Sequence, residues 1–113
     1  MSKLADTTYT FLRGVFPYNI ITKEYYISYK NTRLFFDFYI KDLGLVLEVQ
    51  GRQHDTFVKH FHTDREGFLM SKKRDNLKKE YCEKQCLVLI EIRNTKELTK
   101  DKFMERVMKE MVL

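Results

Sequence analysis

Apolar and polar positions along this chain follow two rhythms that alternate from one end to the other. Leu4, Tyr9, Phe11, Leu12 and Val15 make a rough apolar face on a helix running from Ser2 to Val15. Pro17 and Asn19 end that helix. Tyr25 to Tyr29 is rich in strand formers, and Lys30-Asn31-Thr32 turns the chain. Leu34 to Ile40 and Leu45 to Gln50 read as two more strands, joined by a tight Lys41-Asp42-Leu43-Gly44 turn. Gly51 to Asp64 is irregular and holds His54, His60 and His62. Arg65 to Glu83 is predicted as a polar helix with Leu69, Leu77 and Tyr81 as a thin buried stripe. Cys86 to Ile92 is a nearly continuous apolar run, as in a strand covered on both faces. Lys100 to Val112 is an amphipathic helix with Phe103, Val107 and Met111 at four-residue spacing. The predicted order is α-β-β-β-α-β-α, an α/β fold.

Acids interrupt two of these apolar strands. Asp37 lies inside the second strand, and Glu48 and Gln50 lie near the end of the third. Burying an unpaired carboxylate costs several kcal/mol or shifts its pKa. A fold tolerates that cost when the acids hold a cation. Glu48 and Gln50 are two apart, so their side chains leave the same face of the strand. Two oxygen donors facing an acid from the neighbouring strand suit a hard cation such as Mg²⁺. A structural alternative pairs Asp37 with Arg33 or Arg52. A second alternative makes Glu48 an edge residue facing solvent, but the apolar run Leu45-Val46-Leu47 before it argues against that.

Composition bounds the setting. At 113 residues the chain reads as one domain, residues 1–113, and the 43% hydrophobic fraction is enough for a core. No apolar run approaches the roughly 20 residues of a membrane span. The opening Met1-Ser2-Lys3-Leu4-Ala5-Asp6 lacks the apolar segment of a signal peptide. Cys82 and Cys86 have no companion ligands at zinc spacing, so they read as free thiols in a reducing, cytoplasmic compartment. His60 and His62 alternate, but no cysteine pair stands nearby to close a zinc site. The net charge of +5 and a pI near 9.2 permit a polyanionic partner.

This order of elements, with these acids, resembles the PD-(D/E)XK nuclease superfamily. The resemblance implies a restriction-endonuclease-like αβββαβ core with a mixed central sheet, followed here by a C-terminal helix. Asp37 takes the place of the first acid, and Glu48-Val49-Gln50 that of the (D/E)-X-K element. The run Glu48-Val49-Gln50-Gly51-Arg52-Gln53-His54, then Arg74-Asp75-Asn76-Leu77-Lys78, then Leu87-Val88-Leu89-Ile90, looks like the very-short-patch-repair (Vsr-like) branch. That branch includes phage homing endonucleases of the EDxHD type. The match runs from about Phe36 to Arg93. Two positions depart from the pattern. Gln50 stands where the family usually has lysine, and it can orient a water but carries no charge. The first helix offers Asp6 where the branch carries a glutamate, with Glu24 as the alternative.

The resemblance implies a Mg²⁺- or Mn²⁺-dependent DNA endonuclease, a hydrolase small enough to be phage-encoded and to work in a bacterial cytoplasm. Asp37, Glu48 and the Val49 backbone carbonyl would hold the metal. Gln50 would position a water, His54 would move a proton, and Asp75 would fix the His54 tautomer. The bland alternative for Asp75 is a helical pair with Lys78 or Lys79. Lys72, Lys73, Arg74, Lys78, Lys79 and Lys84 would ordinarily be a solvated helix face. Together with Arg52, Lys59 and His60 they could instead line a groove for double-stranded DNA, with salt-sensitive binding. Phe57, Phe61 and Phe68 read as core anchors of the loop rather than base-stacking wedges. One copy has one site and would nick; a double-strand break needs a homodimer. Two rival readings follow. One is a catalytically inactive member of the fold that binds DNA or a partner, as the glutamine-for-lysine exchange suggests. The other is an RNA-processing nuclease.

Overall fold

The computed structural model describes residues 3–50, 65–93 and 99–111. Its elements run α1 (Lys3–Val15), β1 (Thr22–Tyr29), β2 (Thr32–Ile40), a 3₁₀ turn (Lys41–Leu43), β3 (Leu45–Gln50), α2 (Arg65–Lys84), β4 (Val88–Arg93) and α3 (Lys100–Met111). The α/β class and the order of elements are those expected. The four strands form one mixed sheet in the order β1-β2-β3-β4. The first three strands are antiparallel, and β4 runs parallel to β3, with Leu47 opposite Ile90 and Glu48 opposite Glu91. The parallel pairing follows from the long connection through α2, since parallel neighbours need a crossover. No helix among the described residues is long and apolar enough to cross a membrane.

Local chemistry accounts for the turns. Gly44 adopts φ +60 and its N–H donates to the Lys41 carbonyl, closing the 3₁₀ turn between β2 and β3. The Val88 N–H then donates to the Gly44 carbonyl, which seats the start of β4 beside this turn. The Arg13 guanidinium donates to the carbonyls of Phe16, Pro17 and Asn19 after the end of α1. It satisfies carbonyls of the segment that leads from the helix to β1.

The sheet has two covered faces. On one, α1 and α3 bury Ala5, Leu12, Phe38, Ile40, Leu45, Leu47, Ile90, Ile92, Phe103 and Val107. On the other, α2 covers Phe36, Val46 and Cys82, with Tyr25, Tyr39, Tyr81 and Leu89 packed around them. The apolar run of the last strand is thus divided between the two faces, as expected. It begins at Val88 rather than Cys86, because Cys86 takes a left-handed φ of +56 at the turn out of α2. Both cysteines are free, Cys82 buried and Cys86 exposed.

The predicted stripe on α2 holds in part, since Tyr81 packs against the core and Leu77 is half-buried. Leu69 is 54% exposed, and the buried residues are Lys78 and Cys82. A helix that is polar all round gives little sign of its inner face. Here the inner face is chosen by a carboxylate on the sheet.

Candidate functional site

The site begins where β2 leaves the regular ladder. Pairing between β2 and β3 runs from Ile40↔Leu45 to Phe38↔Leu47 and goes no further. On the other side, the register of β1 and β2 steps from Lys23↔Phe38 to Tyr25↔Phe36, skipping Glu24 and Asp37. Glu24 has φ +52, a left-handed conformation that costs a non-glycine residue about 1 kcal/mol or more. Residues two apart on a strand normally share a face. Phe36 and Phe38 do not: Phe36 packs under α2 and Phe38 under α1 and α3. Asp37 is the residue between them.

The Asp37 carboxylate makes up for the interrupted ladder. The Val49 N–H donates to its Oδ2 at 2.7 Å. Asp37 is therefore held against β3 by a backbone donor, in addition to whatever its charge attracts. In an extended strand a residue's N–H and C=O leave by the same edge. The Val49 carbonyl is thus directed to the Asp37 side as well.

Glu48 is the neighbouring residue, directed under α2 and only 4% exposed. Lys78 of α2 donates to its Oε2 at 2.8 Å, and the Lys78 side chain is itself only 11% exposed. Oε1 is buried with no hydrogen-bond partner among the described residues. Burial pushes the Glu48 carboxyl up to about 7, against the opposing pull of the Lys78 ammonium and with a further push from the Asp37 charge. The same surroundings act on the Cys82 thiol, one turn along α2 from Lys78. Burial, then the Glu48 charge, raises it to about 11, which makes it an inert packing group.

The expected residues fall into three sets. Asp37, Glu48 and Val49 are brought together as described. Asp75 is half-buried on α2, one turn before Lys78; with Ser71, Lys78 and Cys82 it forms the stripe at helical spacing that turns inward. Lys78, the helical neighbour proposed for Asp75, donates to Glu48. Lys79 is mostly exposed, 3.9 Å from Glu91. Lys73 and Arg74 are exposed, Lys72 is half-buried with its ammonium 5.7 Å from the Phe68 ring, and Lys84 meets Glu80 on the surface. Asp6 is exposed on α1, which covers the opposite face of the sheet from α2. The remaining expected residues, Arg52, His54, Lys59 and His60, lie outside the described residues, as do Phe57, Phe61 and His62 and the Gln50 side chain. Among the described residues no group of three His, Cys, Asp or Glu side chains could hold a metal ion by itself.

Lys78 is the residue that the sequence reading misplaced. Its place in the basic cluster of α2 predicts a solvated side chain, yet it is buried and paired. Its charge is delivered from the helix to the Glu48 carboxylate. A sequence signal did exist: Lys78 lies four residues before Cys82 and three after Asp75, which defines a face, but no apolar periodicity marked that face as inward.

No family model matches the chain. It is similar to two proteins of invertebrate iridescent viruses, both described only as uncharacterized. Protein 307L of Invertebrate iridescent virus 6 is 39% identical over 62 residues, which is 55% of this chain and 32% of that protein. Protein 033L of Invertebrate iridescent virus 3 is 37% identical over 57 residues, 50% of this chain and 29% of that protein. No solved structure matches. The aligned segments thus amount to about a third of each of these viral relatives.

Proposed function

We propose that this chain hydrolyses phosphodiester bonds in nucleic acid, using one divalent cation, Mg²⁺ or Mn²⁺, held by Asp37, Glu48 and the Val49 carbonyl. The observation that carries this reading is the Glu48 carboxylate. It is buried in an apolar strand beside a second acid, and Oε1 lacks a partner among the described residues. An orphaned buried oxygen is costly, and a cation would satisfy it. The donors present fit Mg²⁺, which takes one or two carboxylates and fills its remaining positions with water and phosphate oxygens. The cation, when bound, would neutralise charge on the phosphate and acidify a water.

The chain's own residues supply the rest. Lys78 keeps a positive charge against Glu48 and offers further N–H donors to a phosphate oxygen. That is the charge missing at Gln50. His54 would move a proton, with Asp75 orienting it. The resemblance to the PD-(D/E)XK superfamily supports the same assignment, and DNA is the favoured substrate. The two relatives are viral proteins, so a viral setting belongs to this reading; a phage in a bacterial cytoplasm is one form of it.

The test is incubation of the pure protein with Mg²⁺ or Mn²⁺ and supercoiled plasmid, nicked and branched DNA, and RNA. Cleavage is expected, and Asp37→Ala or Glu48→Ala should reduce it to background while DNA binding survives. His54→Ala should lose about 10²- to 10⁴-fold. Cleavage by Glu48→Ala at the wild-type rate would remove the assignment.

One observation favours a second reading, an inactive member of the fold that binds nucleic acid or a partner. Lys78 already neutralises Glu48 at 2.8 Å without any cation. Calorimetric titration with Mn²⁺ separates the two, since a closed ion pair takes up no metal.

A further inference from the structure

A pair of aromatic rings stands exposed beside this site. Tyr26 of β1 and Phe35 of β2 are directly paired across the strands, and their rings stack at 5.5 Å with 30° between planes. Tyr26 is 57% exposed and Phe35 41%. The pair carries a cation at each end. The Arg33 guanidinium carbon lies 5.8 Å from the Tyr26 ring centre. The Lys78 ammonium lies 5.1 Å from the Phe35 ring centre and donates to Glu48 at 2.8 Å. The rings are therefore continuous with the carboxylates through one shared ammonium.

We infer that Tyr26 and Phe35 form a stacking platform for an unpaired nucleobase, so that the site acts on nucleic acid with a single-stranded segment. This rests on the phosphodiesterase reading and names the substrate class for it. A nucleotide joins its base to its phosphate through one sugar. A base lying on the Phe35 ring would hold its phosphate near Lys78 and Glu48. Every base has an apolar π-face, and exposed aromatics with flanking cations are how proteins grip single strands. The two rings could serve simply as a cross-strand pair that stiffens the hairpin. Such a pair does not require both rings to stay exposed next to the buried Lys78. A fully paired duplex keeps its bases stacked inside and offers no face to the platform.

The experiment measures binding of fluorescein-labelled oligo(dT), oligo(U) and a blunt, fully paired duplex in EDTA at low salt, where no hydrolysis occurs. Wild type should bind the single strands more tightly than the duplex. Tyr26→Ala and Phe35→Ala should each weaken single-strand binding about 5- to 100-fold and duplex binding less than 2-fold. Tyr26→Phe should bind as wild type, and Phe35→Leu, which keeps an apolar side chain, should bind as Phe35→Ala. These two variants separate lost stacking from lost folding. Oligo(U) bound more tightly than oligo(dT) would assign the strand as RNA, and the reverse as DNA; either supports the platform. Equal losses on duplex and single strand, no loss on either, or no binding by wild type would overturn it. The readout is independent of cleavage. Selective single-strand loss in a protein that cuts nothing would leave the platform standing and remove hydrolysis. Cleavage with no selective loss would do the opposite.

Discussion

The two faces of the sheet are built on opposite terms. Under α1 and α3 the buried cluster encloses Phe38, Phe103 and Leu12 fully, and the buried polar residue on α1 is the uncharged Thr8. Under α2 the buried apolar set is Phe36, Val46 and Cys82, and next to it lie a carboxylate and an ammonium. The first face follows the ordinary rule that apolar burial drives folding. The second keeps two charges out of water, an arrangement that well-packed apolar residues often match or better in stability. Both faces bury apolar residues, but only the second also holds a charged pair whose presence stability does not explain.

That contrast can be broken most forcefully from the apolar side. Phe38→Ala or Phe103→Ala should lower unfolding free energy by about 3–5 kcal/mol in denaturant titration, as for other fully buried phenylalanines. Folded protein recovered from either variant should bind Mn²⁺ as wild type does. A loss of metal affinity with the fold intact would show that the two faces are not independent.

The next effect is a pH dependence belonging to Glu48. Its carboxyl is raised by burial from the usual 4.5 to about 7. The folded chain therefore holds more protons than the unfolded chain between those values. Stability from this group is fully present below about pH 4.5 and is lost as pH rises to 7, by roughly 3 kcal/mol. The difference between wild type and Glu48→Gln across this window isolates the effect, and parallel stability curves would contradict it. Cation affinity should move the other way, rising through pH 7, because the carboxylate must shed its proton to ligate.

A smaller effect sharpens the role of Lys78. Lys78→Met leaves the Glu48 charge unpaired. Breaking a buried pair costs about 3–5 kcal/mol in general. Here the loss should be smaller, because Glu48 can take up a proton, and larger at pH 8 than at pH 5. Adding Glu48→Leu to Lys78→Met should restore stability to wild type or above while cleavage stays absent. A double variant less stable than wild type would mean that the pair stabilises the fold.

The smallest effect lies on the surface. Lys30 and Glu80 meet at 2.6 Å with half-exposed side chains. Exposed pairs of this kind are screened and contribute little. Lys30→Ala should unfold within error of wild type at moderate salt. A clear loss there would show that the hairpin is anchored to α2 by charge as well as by packing.

The sequence alone determined the order of elements, the class of fold and the two acids. Helix and strand periods differ, and apolar residues must follow the period of their element to reach a core, so the pattern is local and readable. Asp37 and Glu48 were readable for the same reason: a carboxylate inside an apolar strand is an exception that needs a cause. Tertiary structure alone decided what surrounds them. Asp37 turns sideways to take the Val49 N–H because β2 parts from its neighbours there, and no local preference announces such a break. Lys78 is buried because α2 lays that face across β3, and a helix polar on every side does not say which face that will be. Tyr26 and Phe35 stand beside the site only because strand register pairs them and Lys78 reaches the Phe35 ring. Local sequence sets what each segment can become; long-range packing chooses which polar groups are taken out of water together, because only the folded arrangement brings their charges within reach.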